Sequence, residues 1–407
     1  MSKIIIIGGG AAGFFAAITA AEINPKADIS ILERGKNVLE KVKVSGGGRC
    51  NVTHACFIPR DMVKNYPRGD KALMSPFSRF MTGDTFEWFE KRGVQLKIED
   101  DGRVFPTTDN SQTIIDCLYG EAVQKGVKIL RGYRVDDIEV IDNQFFIKSS
   151  QGDIQADIVM MATGSSKGAW DILAKLGHNI IKPVPSLFTF NIKDSRLEGL
   201  AGLSVPNVEV TIVGEKLKAT GPLLVTHWGA SGPAILRLSA WGARQLFDLH
   251  YHFDIALNWT GFYNLEEVKE TLNDCKSEYS KKYISNTPQY DIPSRLWERL
   301  VLASEIAPDL RWADASKKHM QSLAEQLAQG TFQVIGKSTF KDEFVTSGGV
   351  DLDEVHFKTF ESKVIPNLYL AGEVLNIDAI TGGFNFQAAW TGGWHAGKAM
   401  GESLADR

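Results

Sequence analysis

Residues 4–13 read Ile-Ile-Ile-Ile-Gly-Gly-Gly-Ala-Ala-Gly, and this stretch decides the fold. Four consecutive isoleucines are typical of a parallel strand buried on both faces, and a G-x-G-x-x-G pattern follows them directly. In this pattern the first glycine permits a tight turn, the second lets the backbone approach a pyrophosphate, and the third lets the next helix pack closely. Free N–H groups at the start of that helix stabilise the phosphates. The pattern therefore predicts a dinucleotide site that is formed by Gly8, Gly10, Ala11, Ala12 and Gly13.

A second predicted strand, residues 28–32, ends at Glu33, which stands 20 residues after Gly13. A carboxylate in this place accepts hydrogen bonds from the ribose hydroxyls of an adenosine and repels a 2′-phosphate. We assign Glu33 and the adjacent Arg34 to the cofactor site. The uncharged residues 4–21 also resemble a signal peptide or a short membrane helix, but their glycines favour a strand, a turn and a helix.

Two further predicted strands end in small residues. Residues 158–162 run into Thr163-Gly164, and residues 368–370 run into Ala371-Gly372-Glu373. Small residues at the carboxyl ends of parallel strands let a long cofactor lie across the sheet, and Glu373 is suited to bind a ribityl chain. We therefore assign Thr163, Gly164, Gly372 and Glu373 to the cofactor site.

Residues 381–390 read Thr-Gly-Gly-Phe-Asn-Phe-Gln-Ala-Ala-Trp, a Gly-Gly turn that opens a helix. The N–H groups of such a helix start stabilise the electron-rich pyrimidine edge of a reduced flavin. Cofactor segments at both chain ends are typical of flavoproteins with an FAD-binding Rossmann domain, so we predict FAD. The residues expected to contact it here are Gly383, Asn385, Phe386 and Gln387. The alternative is an ordinary amphipathic helix with a glycine at its start.

Composition narrows the class of protein. The chain has 407 residues and a formal net charge of −4, with 45 Lys and Arg against 49 Asp and Glu. Because there is no basic excess, we expect a small-molecule substrate and neither a nucleic-acid nor a membrane partner. The four cysteines contain no C-x-x-C pair, which argues against a disulfide framework and favours the cytoplasm. The oligomeric state is left open.

At this point the chain closely resembles the YhiN/BaiN-like bacterial flavoproteins, a family of NAD(P)/FAD-dependent oxidoreductases that is also called the aminoacetone oxidase family. The resemblance spans nearly the whole chain. It rests on the N-terminal glycines and on further motifs in this order: residues 43–51 (KVSGGGRCN), 102–106 (GRVFP), 226–234 (THWGASGPA), 345–350 (VTSGGV) and 372–387. Many relatives carry an Asp and a Tyr where this chain has Asn376 and Phe384.

The resemblance implies an α/β fold in which both chain ends build a Rossmann-type FAD-binding domain, residues 1–187 and 338–407. A β-barrel-like insertion, residues 188–337, interrupts this domain and contains a helical segment at about residues 262–328. The pattern agrees with strands at 188–192, 208–213, 216–219 and 249–257. Residues 128–158 are expected to form a β-meander before the Thr163-Gly164 strand end.

The glycine-rich loop in residues 43–51 offers flexible N–H donors, a guanidinium and an amide, which suit a pyrophosphate or a flavin edge. Family position implies that Lys43, Ser45, Gly46, Gly47, Arg49, Cys50 and Asn51 contact the cofactor; the alternative is a surface loop. Five residues separate Cys50 from Cys56, whereas four separate the redox pair of related disulfide reductases. We therefore expect Cys50 to be a packed thiol and not part of a redox disulfide.

His227 is the candidate for proton transfer, because imidazole exchanges a proton near neutral pH, although a structural role is equally open. Arg103 and Phe105 either hold a polar substrate against the flavin or merely form a turn and the start of a strand. His250 and His252 share one face of a predicted strand without further ligands nearby, so we predict no metal site. The segment after His227 is expected to start a helix.

These features predict an FAD-dependent oxidoreductase that transfers a hydride between the flavin and a small or medium organic substrate. Relatives are implicated in amine oxidation and in reduction of steroid-like enones. Because the chain has one G-x-G-x-x-G pattern, NAD(P)H would act only as a transient reductant at the open flavin face. The alternatives are an FAD-dependent RNA-modifying enzyme and a non-catalytic flavin-binding redox module.

Overall fold

The isoleucine run forms the central strand of a parallel sheet, and Ile4, Ile5 and Ile6 are completely buried. The structure is a computed structural model that describes residues 3–338 and 345–405. The elements of the N-terminal part are β1 (Lys3–Ile7), α1 (Ala11–Ile23), β2 (Asp28–Glu33), α2 (Glu40–Gly48), β3 (Thr53–His54), α3 (Pro59–Met62), α4 (Asp70–Phe77), α5 (Thr82–Glu90), β4 (Leu96–Ile98), β5 (Arg103–Pro106), α6 (Ser111–Gln124), β6 (Lys128–Arg131), β7 (Val135–Ile141), β8 (Gln144–Ser149), β9 (Ile154–Ala156), β10 (Ile158–Met161), α7 (Lys167–Lys175) and β11 (Ile180–Ser186).

The middle and C-terminal parts continue the series. The middle part contains β12 (Thr189–Ile192), β13 (Ser204–Ile212), β14 (Lys218–Thr226), β15 (Gly229–Ser231), α8 (Pro233–Trp241), α9 (Ala243–Asp248), β16 (His252–Asn258), α10 (Leu265–Glu278), α11 (Ser294–Ala303), α12 (Lys317–Gln329) and β17 (Gly330–Ser338). The C-terminal part contains β18 (Val345–Val350), β19 (Val355–His356), β20 (Glu361–Ser362), β21 (Leu368–Leu370) and α13 (Phe384–Ala405).

The chain divides into two units. The first consists of residues 1–184 and 341–407, and the second of residues 185–340. The boundaries expected from the sequence lay at 187 and 338.

A seven-stranded sheet organises the first unit, in the order β19-β20-β21-β10-β1-β2-β6. The strands from β21 to β6 run parallel, with Ile4 beside both Ile158 and Ile29. Consequently the carboxyl ends of β1, β10 and β21 meet at one edge, where ligands of such sheets bind. A smaller sheet, β3-β5-β4, carries the residues that follow the glycine-rich loop.

The expected meander over residues 128–158 is wrong at its start. β6 joins the parallel sheet beside β2, and only β7, β8 and β9 form an antiparallel meander. α6 precedes β6 and supplies a crossover connection, which a parallel strand requires. The predicted turn at Asp142-Asn143 is present, and both residues have positive φ angles of 50° and 61°.

The second unit is a closed antiparallel barrel of strands β12-β15-β14-β13-β16-β17 with helices α8 to α12. One buried apolar cluster fills it, drawn from residues 188–334. Together the two units confirm the predicted class, an α/β Rossmann-type FAD-binding fold with a barrel insertion.

Two expectations for the insertion need correction. Residues 249–251 are a turn after α9, with His250 at a φ of 53°, so His250 does not share a strand face with His252. The segment after His227 first forms β15, and α8 begins only at Pro233. The helical segment expected at about residues 262–328 is present and consists of three helices, α10 to α12. Within the described ranges, no helix is long and apolar enough to cross a membrane.

Candidate functional site

The glycine turn after β1 combines tight packing with one open position. A Cβ atom at Gly8 would lie 2.3 Å from the carbonyl oxygen of Ala162, and one at Gly13 would lie 2.1 Å from that of Gly8. At Gly10, by contrast, a Cβ would meet none of the described atoms within 4 Å. Gly8 and Gly13 are therefore required by the packing of β1, β10 and α1. The space beside Gly10 is open to a ligand.

The start of α1 provides the donors for this space. Gly10 is the N-cap residue in extended backbone, with a φ of −98°, so the N–H groups of Ala11 and Ala12 have no intrahelical acceptor. Such groups and the positive end of the helix dipole stabilise a phosphate without a basic side chain. The first turn of α1 contains no acidic residue that would oppose an anion.

Glu33 is fixed at the end of β2 by two backbone groups. One carboxylate oxygen accepts a 2.9 Å hydrogen bond from the Gly9 N–H, and the other a 2.7 Å bond from the Gly35 N–H. A carboxylate has about four acceptor sites, so each oxygen retains one for a ribose hydroxyl. The neighbouring Arg34 is exposed to solvent.

The glycine-rich loop begins where α2 loses its helical geometry at Ser45. Gly46, Gly47 and Gly48 then have φ angles of 57°, 68° and 84°, a run that only glycine adopts readily. A 3.0 Å bond from the Cys50 N–H to the Ser45 carbonyl closes the loop. Beside Gly47 and Gly48 the described residues leave open space. The side chain of Lys43, ahead of the loop, is exposed.

Arg49 does not carry a free positive charge. Its guanidinium lies 2.6 Å from Glu99 and 3.4 Å from Asp109, and stacks 3.9 Å above the centre of the Phe105 ring. Phe105 is completely buried, so it offers no surface to a substrate, and its ring supports the Arg49 guanidinium. Arg103 is likewise paired, with Asp101 and Glu99. The loop would therefore bind an anion mainly through backbone N–H groups.

The cysteines of this region are free thiols. Cys50 is buried, and burial raises its pKa to about 12, so the thiol is protonated at neutral pH. Cys56 is partly exposed, and burial raises its pKa as well. Neither residue has the lowered pKa of a reactive thiol.

Asn51 connects the loop to the C-terminal segment. In the amide orientation that its neighbours require, it donates a 3.0 Å hydrogen bond to the Thr53 carbonyl and accepts one of 3.0 Å from the Gly383 N–H. A Cβ at Gly383 would lie 2.4 Å from the Thr53 oxygen, so the contact is close. Two segments separated by more than 300 residues are thus brought together at β3.

Two predicted cofactor residues of this segment face inward. Gln387 is completely buried, and its amide oxygen accepts hydrogen bonds from Thr53 and Thr85 at 2.6 and 3.0 Å. Asn385 exchanges two hydrogen bonds with the backbone of Ala379. Both side chains therefore support the turn and do not present polar groups to a ligand. Phe386 is half-buried and stacks on Trp390.

The ends of β10 and β21 lie close together, as predicted. Gly164 and Gly372 both have positive φ angles, 61° and 79°, and a Cβ at Gly164 would be 3.9 Å from a carboxylate oxygen of Glu373. Glu373 forms a 2.5 Å ion pair with Lys41 of α2. The Thr163 hydroxyl is buried and has no hydrogen-bond partner among the described residues.

Two residues that sequence reasoning missed adjoin the C-terminal turn. The His54 ring stacks on Phe384 with ring centres 4.6 Å apart, and its Nδ1 lies 3.1 Å from the Gly382 carbonyl. The Tyr66 hydroxyl donates a 2.6 Å hydrogen bond to the Phe384 carbonyl. For His54 the available signal was its position, three residues after Asn51.

In the second unit, His227 and Trp228 form the two-residue turn between β14 and β15. Both side chains are exposed, Trp228 to 70%. The role of His227 stays a prediction. Within residues 3–338 and 345–405, no three metal-ligating side chains come together.

Residues 2–399 match the family model described as HI0933-like protein Rossmann domain. One relative, named 3-dehydro-bile acid delta(4,6)-reductase, from Clostridium scindens, is 27% identical over 99% of this chain and 100% of its own. Another, named ribosomal RNA dihydrouridine synthase, from Escherichia coli K12, is 28% identical over 96% of both chains. The solved structure of a 3-ketosteroid-delta4-(5alpha)-dehydrogenase from Rhodococcus jostii RHA1 shares the fold, with a TM-score of 0.52, 13% identity and coverage of 98% and 97%.

Proposed function

The chain belongs to the HI0933-like Rossmann family and is an oxidoreductase, and from this premise we propose that it binds FAD and reduces a carbon–carbon double bond conjugated to a carbonyl group.

One observation supports the proposal that the chain binds FAD. The turn after β1 packs tightly at Gly8 and Gly13 but is open at Gly10, and Glu33 stands fixed beside it. A pyrophosphate fits the open position and an adenosine ribose fits the carboxylate. The left-handed glycines of residues 46–48 and the start of α13 supply further N–H donors for the rest of FAD.

When bound, FAD supplies a hydride from N5 of its reduced ring. The chain's own residues then orient the substrate and supply the proton that accompanies the hydride. One hydride adds to the carbon β to the carbonyl and one proton adds to the α carbon, so that the double bond becomes single. NAD(P)H is proposed as the transient reductant of the flavin.

The substrate class is supported by the relatives' names. A delta(4,6)-reductase of a 3-dehydro bile acid and a dihydrouridine synthase both reduce a carbon–carbon double bond. In each substrate that bond is conjugated to a carbonyl. This shared chemistry favours reduction of an enone over oxidation of an amine for this chain.

The second candidate is the same reduction carried out on uridine within ribosomal RNA. It is favoured by the relative that covers 96% of both chains. The net charge of −4 argues against it, because RNA binding draws on a basic surface. We therefore propose a small-molecule enone as the substrate and retain RNA as an outcome of the test.

The test uses FAD-loaded protein that is photoreduced without oxygen. It is mixed separately with a conjugated 3-ketosteroid, a simple aliphatic amine, uridine-containing ribosomal RNA and buffer alone. We expect rapid flavin re-oxidation with the ketosteroid and formation of the saturated ketone. Re-oxidation by RNA alone, with dihydrouridine formed, would assign the second candidate. If no conjugated carbonyl compound re-oxidises the reduced flavin, the proposal is overturned.

A further inference from the structure

Reduction of an enone requires a proton donor as well as a hydride. Resting on the proposed function, we infer that His54 is the catalytic residue that delivers this proton, from Nε2, to the α carbon of the substrate. The sequence pointed instead to His227, which lies in an exposed turn of the other unit.

The hydrogen bonds of the His54 ring fix its tautomer. The Gly382 carbonyl, 3.1 Å from Nδ1, can only accept, so Nδ1 carries a hydrogen atom in both protonation states. Nε2 has no hydrogen-bond partner among the residues that the structure describes. In the imidazolium form Nε2 therefore holds the transferable proton.

The position of the ring is also fixed. One face stacks on Phe384 with an interplanar angle of 27°, at the start of α13. A Cβ at Gly102 would lie 2.7 Å from Nε2, so glycine at residue 102 is what lets the imidazole pack against this backbone. His54 follows the Ser45–Asn51 loop and contacts the Gly382-Gly383 turn, the two segments predicted to hold the flavin. The ring is half-buried, and solvent can restore its proton.

Other nearby acids are less suited to the transfer. The Tyr66 hydroxyl is committed to the Phe384 carbonyl, and burial raises its pKa well above the usual value. The buried Cys50 thiol has a pKa of about 12. Opposite His54 on β5 stands Arg103, whose charge is balanced by Asp101 and Glu99. Among the described residues, no hydrogen-bonding group competes for Nε2.

In the proposed step the Nε2–H bond of the imidazolium breaks and a C–H bond forms at the α carbon. The hydride from the reduced flavin forms the other C–H bond at the β carbon. The ring is left neutral, with its hydrogen on Nδ1 still bound to Gly382. Charge, protons and electrons balance without a further reactant.

The informative variant is His54→Asn, because the Asn amide can still donate to the Gly382 carbonyl but lacks an atom in place of Nε2. His356→Gln is the matched control, since His356 is exposed on the edge strand β19. We expect His54→Asn to retain FAD and to slow re-oxidation by the enone about 10²- to 10⁴-fold. The remaining rate should lose the pH dependence that the parent shows. Re-oxidation by ferricyanide, which needs no proton on carbon, should match the parent.

Nitrogen NMR of labelled histidine gives a readout without turnover. The parent should show an Nδ1-protonated ring at His54 that gains its second proton on Nε2. An Nε2-protonated neutral ring would overturn the inference. So would enone re-oxidation by His54→Asn within about threefold of the parent and with the same pH profile. If the parent itself reduces no conjugated carbonyl compound, the proposed function fails, and the role of His54 fails with it.

Discussion

Gly8, Gly10 and Gly13 belong to one motif but have different physical roles. A side chain at Gly8 or Gly13 would collide with backbone atoms at 2.3 and 2.1 Å, and Gly8 also has a φ of 114°. Gly10 has a φ of −98°, which any residue adopts, and open space beside it. Its side chain is therefore restricted only by what binds there. Substitutions at Gly8 or Gly13 are therefore expected to impair folding, whereas a substitution at Gly10 is expected to impair cofactor binding.

We predict that Gly10→Val folds but binds FAD at least about 100-fold more weakly, a loss of about 3 kcal/mol, because the branched side chain fills the pyrophosphate space. Gly13→Ala is the contrasting variant and should lower the free energy of unfolding. Denaturation of the FAD-free proteins and titration with FAD separate the two effects. Parent-like FAD affinity in a folded Gly10→Val protein would show that the motif is only a structural turn.

For individual residues, the sequence predicts the position in the structure where a motif allows a residue only one role. The glycine turn and Glu33 occupy the places that their pattern predicts. The side-chain amides of Gln387 and Asn385 bind other parts of the protein, because an amide serves a ligand or a protein group equally well and distant partners such as Thr53 decide between them. His54 was missed for the same reason, since its neighbours Gly382 and Phe384 are remote in sequence.

Among the elements, α1 and α13 approach each other closely through glycine. Gly393, Gly397 and Gly401 are spaced four residues apart on one face of α13. A Cβ at Gly393 would lie 2.7 Å from the Ala12 carbonyl oxygen, and one at Gly397 would lie 2.4 Å from that of Ala16. Because these glycines lack side chains, the two helices, which begin at the predicted phosphate and flavin segments, can pack in close contact.

We predict that Gly397→Ala lowers the free energy of unfolding by about 1–3 kcal/mol, because the added methyl group overpacks the helix contact. Gly120→Ala in α6 is the control. It is exposed, within a helix, and its Cβ would meet no described atom within 4 Å. Alanine there should stabilise the protein by about 0.5–1 kcal/mol. Chemical denaturation of the FAD-free variants measures both, and equal stability of the two variants would contradict the close packing.

The sequence pattern within a strand does not show which sheet the strand joins. β6 and β7 follow each other closely and both mix apolar with charged residues, yet β6 lies in the parallel sheet and β7 in the meander. Period-two alternation describes each strand alone and not its partner. The preceding helix α6 was the usable signal, because a strand that follows a helix commonly returns to the parallel sheet.

At the scale of the whole molecule, the second unit is built as an insertion. β12 pairs with β17, with Thr189 beside Ser338, so both ends of the barrel segment lie together. β11, which crosses the boundary between the units, and β18 are likewise neighbours. The FAD residues predicted from the sequence all lie in the first unit, whereas His227 lies in the second. The family resemblance implied that a barrel is inserted into the FAD-binding domain. Composition and periodicity alone do not predict the order of the six strands in that barrel.

We therefore predict that residues 185–338 fold cooperatively when expressed alone, because their apolar core is drawn from residues 188–334 without help from the flanking chain. The complementary protein, in which a short Gly/Ser linker replaces residues 188–337, should fold and bind FAD within about tenfold of the parent. Circular dichroism during denaturation tests the folding of both proteins, and FAD titration tests cofactor binding by the complementary protein. A folded complementary protein that fails to bind FAD would show that the insertion contributes to the cofactor site.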